Sequence, residues 1–290
     1  MARQTSEGVA GPLGRLILHV YILGAAIFLV APVVAITAGS LTTTQYVVFP
    51  PRGLTLEWYL RMFDRPEMLS SFALSLGIAA TAATIAAVVG LVAALAMVRH
   101  PSPLNRLLWL LVVSPMMLPS VVLGFAFLQA YTHMGFGSTV AGLLAGHVVL
   151  VTPYAVALIL TGLKSLDPTL ELAARSLGAN PGRALRRVTL PLILWSVAAG
   201  WGLAFLVSFG DAAVSVFLNT PEMVTLPVRI FDALRYSPLN PELTAISSGL
   251  VIVTLAVLVA SASVVRFERL FGGTAGEPAK TPKNQEGRRA

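Results

Sequence analysis

The sequence predicts an all-α membrane protein with about six transmembrane helices. Hydrophobic residues make up 56% of the 290 residues, charged residues only 11%, and the mean hydropathy is +0.80. Soluble domains carry about a quarter charged residues, so this composition excludes an ordinary soluble fold. Stretches without Asp, Glu, Lys or Arg recur along the chain, and each can supply the roughly 20 apolar residues that a helix needs to cross a bilayer.

The charge-free stretches define the individual spans. They lie between Arg15 and Arg52, Glu67 and Arg99, Arg106 and Lys164, Arg187 and Asp211, and Glu242 and Arg266. The third stretch is too long for one crossing, and the glycines and polar residues of YTHMGFGS, residues 131–138, predict a turn that divides it. We therefore expect helices near residues 16–38, 70–97, 107–130, 139–162, 189–209 and 243–265.

Basic residues predict the orientation. Most of the 20 Lys and Arg residues lie near the two termini, at 99–106 and in 163–188. Such residues concentrate on the cytoplasmic side, so both termini are expected there. The predicted organisation is a cytoplasmic N-terminus over 1–15, a transmembrane domain over 16–265 that contains the loop 163–188, and a cytoplasmic, disordered tail over 266–290. We favour an uncleaved anchor for the first span over a cleaved signal peptide.

Several function classes lack their sequence signals. The chain has no Cys, no Gly-Lys pair for a phosphate-binding loop and no His-Glu-x-x-His motif. No catalytic residue, cofactor or metal ligand is therefore assigned. The net charge of +7 suggests nucleic acid only if the basic residues cluster on a soluble face, whereas here they flank apolar spans. We expect no nucleic-acid partner, and contacts of the arginines with membrane lipids instead.

The segment ELAARSLGANPGRALRRVTLP, residues 171–191, is a polar island in this apolar chain. Asp167 as N-cap and Pro168 at the first helical position predict a short amphipathic helix that ends at Gly178 with positive φ. Leu190-Pro191 is expected in the first turn of the next span, where proline lacks a donor that the helix does not use.

The spacing of the island resembles the EAA loop of bacterial ABC importer permeases, which reads roughly Glu-Ala-Ala-x-x-x-Gly and later an aliphatic residue and Leu-Pro. Leu172 replaces the first alanine. The resemblance implies a type I ABC importer permease (MetI-like) fold and a coupling helix whose face of Glu171, Ala174, Arg175 and Gly178 docks on an ATPase. The residues it assigns to ATPase coupling are Glu171, Ala173, Ala174, Arg175, Gly178, Leu190 and Pro191.

The resemblance also implies partners. They are an ABC ATPase dimer that hydrolyses ATP, a second, related permease subunit and a periplasmic solute-binding protein, so this chain is not itself an enzyme. Residues 208–245 are similar to permeases for spermidine and putrescine, and relatives that import phosphonates, opines or ferric ion remain alternatives. A secondary carrier or channel that works without ATP, or a membrane scaffold, also stays open.

Asp211 is the candidate pathway residue. It lies where polyamine permeases usually carry two acidic residues, and this chain has Gly210 before it. A carboxylate at the mouth of a pathway suits a polycation by charge complementarity. A structural role, as a helix cap or as a partner of Arg229, is equally compatible with the sequence.

Overall fold

The computed structural model describes residues 12–135, 138–236 and 240–271, and of residues 12–13 and 261–271 only the backbone. The helices in chain order are α1 (Pro12–Ser40), α2 (Glu57–Phe63), α3 (Pro66–Arg99), α4 (Leu104–Met117), α5 (Ser120–His133), α6 (Val140–Ser165), α7 (Pro168–Ser176), α8 (Pro181–Ala184), α9 (Leu190–Phe209), α10 (Ser215–Leu218), α11 (Leu226–Tyr236) and α12 (Pro241–Phe271). A π-helical turn, Leu185–Thr189, joins α8 to α9.

The long helices confirm the predicted all-α membrane fold. Within the described residues, 5 helices are long and apolar enough to cross a membrane, or 6 if α4 and α5 together count as one broken span. The spans near 16–38, 70–97, 139–162, 189–209 and 243–265 match α1, α3, α6, α9 and α12. The last of these continues to Phe271, beyond the predicted start of the tail, and residues 272–290 lie outside the described part.

The predicted third span, a single helix over 107–130, is wrong. The chain forms α4 and α5 instead, with a bend of 105° at the break between them. Leu118 is extended, at φ −91° and ψ 140°, because the ring of the following Pro119 disfavours helical backbone at the preceding residue. The Pro119 carbonyl then accepts from the Val122 and Leu123 amides and so opens α5. Both prolines of SPMMLP, residues 114–119, are present in the sequence, but a span defined by the absence of charged residues does not take prolines into account.

The chain divides into two compact units. One comprises Ile78–Leu123, Leu144–Ser208 and the described residues from Val257 onward. Its core is a cluster of Ala94 on α3, Ile159, Leu160 and Leu163 on α6, and Ile193 on α9. Small residues allow these helices to approach closely: a Cβ at Gly200 would lie 3.2 Å from the Ala155 carbonyl oxygen. Close backbone approach at small residues is the usual way in which membrane helices associate.

The other unit comprises the described residues up to Gly77, Gly124–Leu143 and Phe209–Ala256. Polar side chains fix α2 within it. The indole of Trp58 donates to the Thr42 carbonyl over 2.7 Å, and the hydroxyl of Tyr59 lies 2.6 Å from Ser40 Oγ and 3.1 Å from Ser248 Oγ. Buried polar groups need such partners, so α2 is held to the ends of α1 and α12 by hydrogen bonds rather than by apolar packing alone.

Candidate functional site in the loop between α6 and α9

Helix α7 begins as the sequence predicts. Asp167 is extended, and its carboxylate accepts a hydrogen bond of 2.9 Å from the Thr169 amide, while Pro168 takes the first helical position. The hydrogen bonds from Thr169 hold the pKa of Asp167 below its ordinary value. The capping carboxylate also lies at the positive end of the helix dipole, which favours its ionised form.

The end of α7 is confirmed as well. Gly178 has a φ of 89°, a conformation that residues with a Cβ rarely adopt. This turn lets the Ala179 amide reach back to the Ala174 carbonyl over 3.1 Å. Asn180 then caps α8, because its side-chain oxygen accepts from the Arg183 amide over 2.8 Å. The NPG tripeptide therefore starts a new helix as well as supplying a turn.

The carboxylate of Glu171 binds within its own chain. Nη2 of Arg99, the last residue of α3, lies 2.8 Å from both carboxylate oxygens. The hydroxyl of Thr189, which is buried, donates to Glu171 Oε2 over 3.0 Å. The side chains of Arg99 and Glu171 are 30% and 27% exposed, so water only partly screens the pair. Glu171 thus connects three elements, α3, α7 and the π-helical turn.

The face that the sequence assigns to ATPase docking is divided in the structure. Glu171 and Ala174 are half-buried against the chain itself, whereas Arg175 and Gly178 are exposed, as is Ala173. The segment also exposes leucines, which are spread around α7 rather than on one side, since Leu170 and Leu172 lie about 200° apart at roughly 100° per residue. Its exposed leucines are Leu170 at 47%, Leu172 at 57% and Leu177 at 90%.

Leu190-Pro191 opens α9, as predicted, but the expected position with an unused donor is wrong because the helical backbone does not start there. The helical backbone runs without interruption over Pro181–Phe209. The π-helical turn lies immediately before this pair, and the Leu190 amide reaches Leu185 O, five residues back. A proline inside an α-helix clashes with the carbonyl four residues earlier, and the wider turn gives room for that ring. Leu190 packs against the core cluster, and Pro191 is exposed.

A groove of about 580 Å³ runs beside α7. Leucines from four helices line it together with Arg99, Glu171 and Arg175. Within the described ranges, no group of three or more His, Cys, Asp and Glu residues could hold a metal ion. The site therefore offers a mainly apolar surface with a few charges, which suits contact with another protein more than chemistry on a small molecule.

Asp211 belongs to the other unit and closes the turn before α10. Its Oδ2 accepts from the amides of Val214 and Ser215 over 3.1 and 3.0 Å and from Ser215 Oγ over 3.1 Å. Arg229 directs its Nε to Ser71 Oγ over 2.6 Å. These contacts fit the helix-cap role of Asp211.

Residues 86–272 match the family described as binding-protein-dependent transport system inner membrane component. The chain belongs to this family. It is therefore a permease subunit of a bacterial ABC importer, a multi-pass protein of the inner membrane, and a transport subunit rather than an enzyme. Family members work with a periplasmic binding protein, as the alginate transporter complex illustrates.

Curated relatives and solved structures agree with this assignment. The permease is 27% identical over 254 residues to the spermidine/putrescine transport system permease protein PotC of Escherichia coli (strain K12), covering 88% of this chain and 96% of PotC. It is 31% identical over 229 residues to the putrescine transport system permease protein PotI of the same strain, covering 76% and 80%. The fold matches a chain of the bacterial alginate ABC transporter in complex with its alginate pentasaccharide-bound periplasmic protein, with a TM-score of 0.65, 15% identity and coverage of 91% and 96%.

Sequence reasoning missed three contributors to the site. Arg99 lies 72 positions before Glu171 and looked like an ordinary basic residue at the end of a span. Thr189 stands between apolar residues and carries no signal in a single sequence. Leu177 carried a signal, because it is an apolar residue next to the glycine that ends the helix in a polar segment. Only the structure shows that its side chain is exposed.

Proposed function

We propose that this permease forms half of the solute pathway of its importer and couples to a separate ABC ATPase through the loop 163–188, with α7 as the coupling helix. A second, related permease forms the other half, because one chain supplies one coupling loop and the ATPase acts as a dimer. Both termini and the loop lie in the cytoplasm, with the organisation 1–15, 16–265 and 266–290. A binding protein delivers solute to the opposite side.

The exposed side chains of Leu172 on α7 and of Leu177, which directly follows α7, carry the proposal. They extend from a short, well-capped helix that Glu171 anchors to the rest of the chain. A rigid helix that presents apolar side chains and a polar rim matches the helix-in-groove mode of protein recognition. Closure of the ATPase dimer would then move α7 and the helices attached to it, which opens the pathway alternately to each side.

Gly178 offers a matched pair of variants to test the docking. Both Gly178→Asp and Gly178→Asn place a side chain of the same shape in open space, since no atom lies within 4 Å of a Cβ there. Asn tolerates positive φ and is neutral, whereas Asp adds a negative charge beside Leu177. We expect the ATPase to co-purify with the wild-type chain and with Gly178→Asn, and to be lost from Gly178→Asp. Equal retention by both variants would remove this surface from the docking site.

We propose a polyamine, spermidine or putrescine, as the solute. The proposal rests on the 27% and 31% identity to two polyamine permeases over most of this chain. The test is uptake of radiolabelled spermidine and putrescine by cells that lack this gene. Loss of uptake that the wild-type chain restores would support polyamines. Unchanged uptake would reject them and direct the search to phosphonates, opines and ferric ion.

A further inference from the structure

We infer that Arg99 and Thr189 are positioning residues that clamp the coupling helix through Glu171, so that Glu171 transmits movement of α7 to the rest of this chain. The clamp has three members on three elements: Arg99 at the end of α3, Glu171 on α7 and Thr189 in the π-helical turn. The inference rests on the proposed function, because it concerns how movement of α7 reaches the pathway.

The hydrogen-bond geometry carries the inference. One guanidinium nitrogen lies at the same distance, 2.8 Å, from both Glu171 oxygens, and the Thr189 hydroxyl adds a third hydrogen bond at 3.0 Å. Hydrogen bonds to a charged group are stronger than neutral ones, and a partly buried carboxylate that loses its partners is costly to keep. Three hydrogen bonds from two donor groups of the chain itself therefore fix the position of the Glu171 carboxylate.

The position of the clamp gives it a mechanical consequence. Arg99 ends a 34-residue helix, and Thr189 lies directly before the 20-residue α9. Along the chain, α7 is connected through the Gly178 turn on one side and through the Leu166-Asp167 link to α6 on the other. Pull on α7 therefore reaches α3 and α9 through Glu171, whereas an unclamped α7 could pivot about the Gly178 turn without moving them.

The leucines complete the argument. Leu172 and Leu177 are 57% and 90% exposed, whereas the Glu171 side chain is 27% exposed and bound to Arg99, so docking and transmission rest on different side chains. The leucines bind the partner, and the carboxylate transmits the movement. Loss of the clamp is then expected to uncouple the importer without releasing the ATPase, whereas damage to the docking leucines releases it.

The test uses the full transporter, purified through a tag on this chain and placed in lipid nanodiscs. The variants are Arg99→Glu, Glu171→Arg, both together, Arg99→Lys and Thr189→Val. The control is Arg106→Gln, which changes an exposed arginine on α4. Three quantities are measured: co-purified ATPase, basal ATP hydrolysis, and its stimulation by spermidine-loaded binding protein. We expect each single charge reversal to retain the ATPase but lose stimulation about fivefold or more.

Rescue separates positioning from general damage. The double reversal and Arg99→Lys should recover stimulation to within about twofold, since a salt bridge is restored in each. Full stimulation in Arg99→Glu, or loss of the bound ATPase in the single reversals, would overturn the clamp. Absence of an ATPase from the wild-type preparation would instead overturn the proposed function, and the coupling role of the clamp with it.

A second measurement does not depend on the solute. The chain contains no cysteine, so a nitroxide attached to Ser176→Cys reports the mobility of α7 without background labels. We expect Arg99→Gln to raise this mobility while Arg106→Gln leaves it unchanged. A spectrum of Arg99→Gln identical to that of the wild-type background would show that Arg99 does not hold α7.

Discussion

Helices α6 and α9 are in close contact at Gly162, and the distances there predict how much the substitution Gly162→Ala destabilises the protein. A Cβ added at Gly162 would lie 2.1 Å from Ser196 Oγ and 2.4 Å from Ser196 Cβ. Rotation can move the hydroxyl, but the Cβ follows the backbone of α9. Ordinary contact begins at 3.4 Å, so Gly162→Ala must separate the helices by about 1 Å.

Such overpacking costs about 1–3 kcal/mol, and the better helix propensity of alanine offsets up to about 1 kcal/mol. Gly249→Ala shares the propensity gain, so relative to that variant we expect the melting temperature in detergent, followed by circular dichroism, to be lower by about 2–12 °C, at about 2–4 °C per kcal/mol. Gly249→Ala is the control, because no atom lies within 4 Å of its added Cβ, and it should not lower the melting temperature. Ser196→Gly in the Gly162→Ala background should restore stability. Equal melting of Gly162→Ala and Gly249→Ala would refute the close contact.

Two further predictions concern the aspartates. If Asp211 acts as the cap that its contacts describe, Asp211→Asn keeps both stability and solute uptake, whereas Asp211→Ala lowers the free energy of unfolding by about 0.5–2 kcal/mol; loss of uptake in a stably folded Asp211→Asn would place the charge in the pathway instead. The pKa of Asp167 is lowered in the folded state, so its cap stabilises α7 above the ordinary carboxyl pKa and is lost as pH falls through the lowered value. Amide hydrogen exchange at Thr169, corrected for the intrinsic rate at each pH, should accelerate over that range in the wild type, and a flat profile would contradict the cap.

The sequence predicted features that depend on neighbours along the chain and missed those that depend on distant ones. Asp167, Pro168 and Gly178 each act on backbone within one helical turn of their own position, so their roles could be predicted. The α4–α5 break was equally local, at Leu118-Pro119, but a count of charge-free residues does not include proline. The pairing of Arg99 with Glu171 joins residues 72 positions apart, and a single sequence contains no information on such a contact.

The same distinction separates coupling from solute choice. The chain shares its fold with a transporter that carries alginate, an acidic polysaccharide, while the curated relatives PotC and PotI are named for polyamines, which are cations. A fold that serves solutes of opposite charge cannot itself specify the solute, so selectivity must reside in side chains along the pathway or in the binding protein. If the loop 163–188 couples to the ATPase as proposed, it faces the same task whichever solute is carried. Substitutions in the clamp should consequently impair uptake of every solute that the importer accepts by the same factor, whereas substitutions in the pathway should change the ratio between solutes.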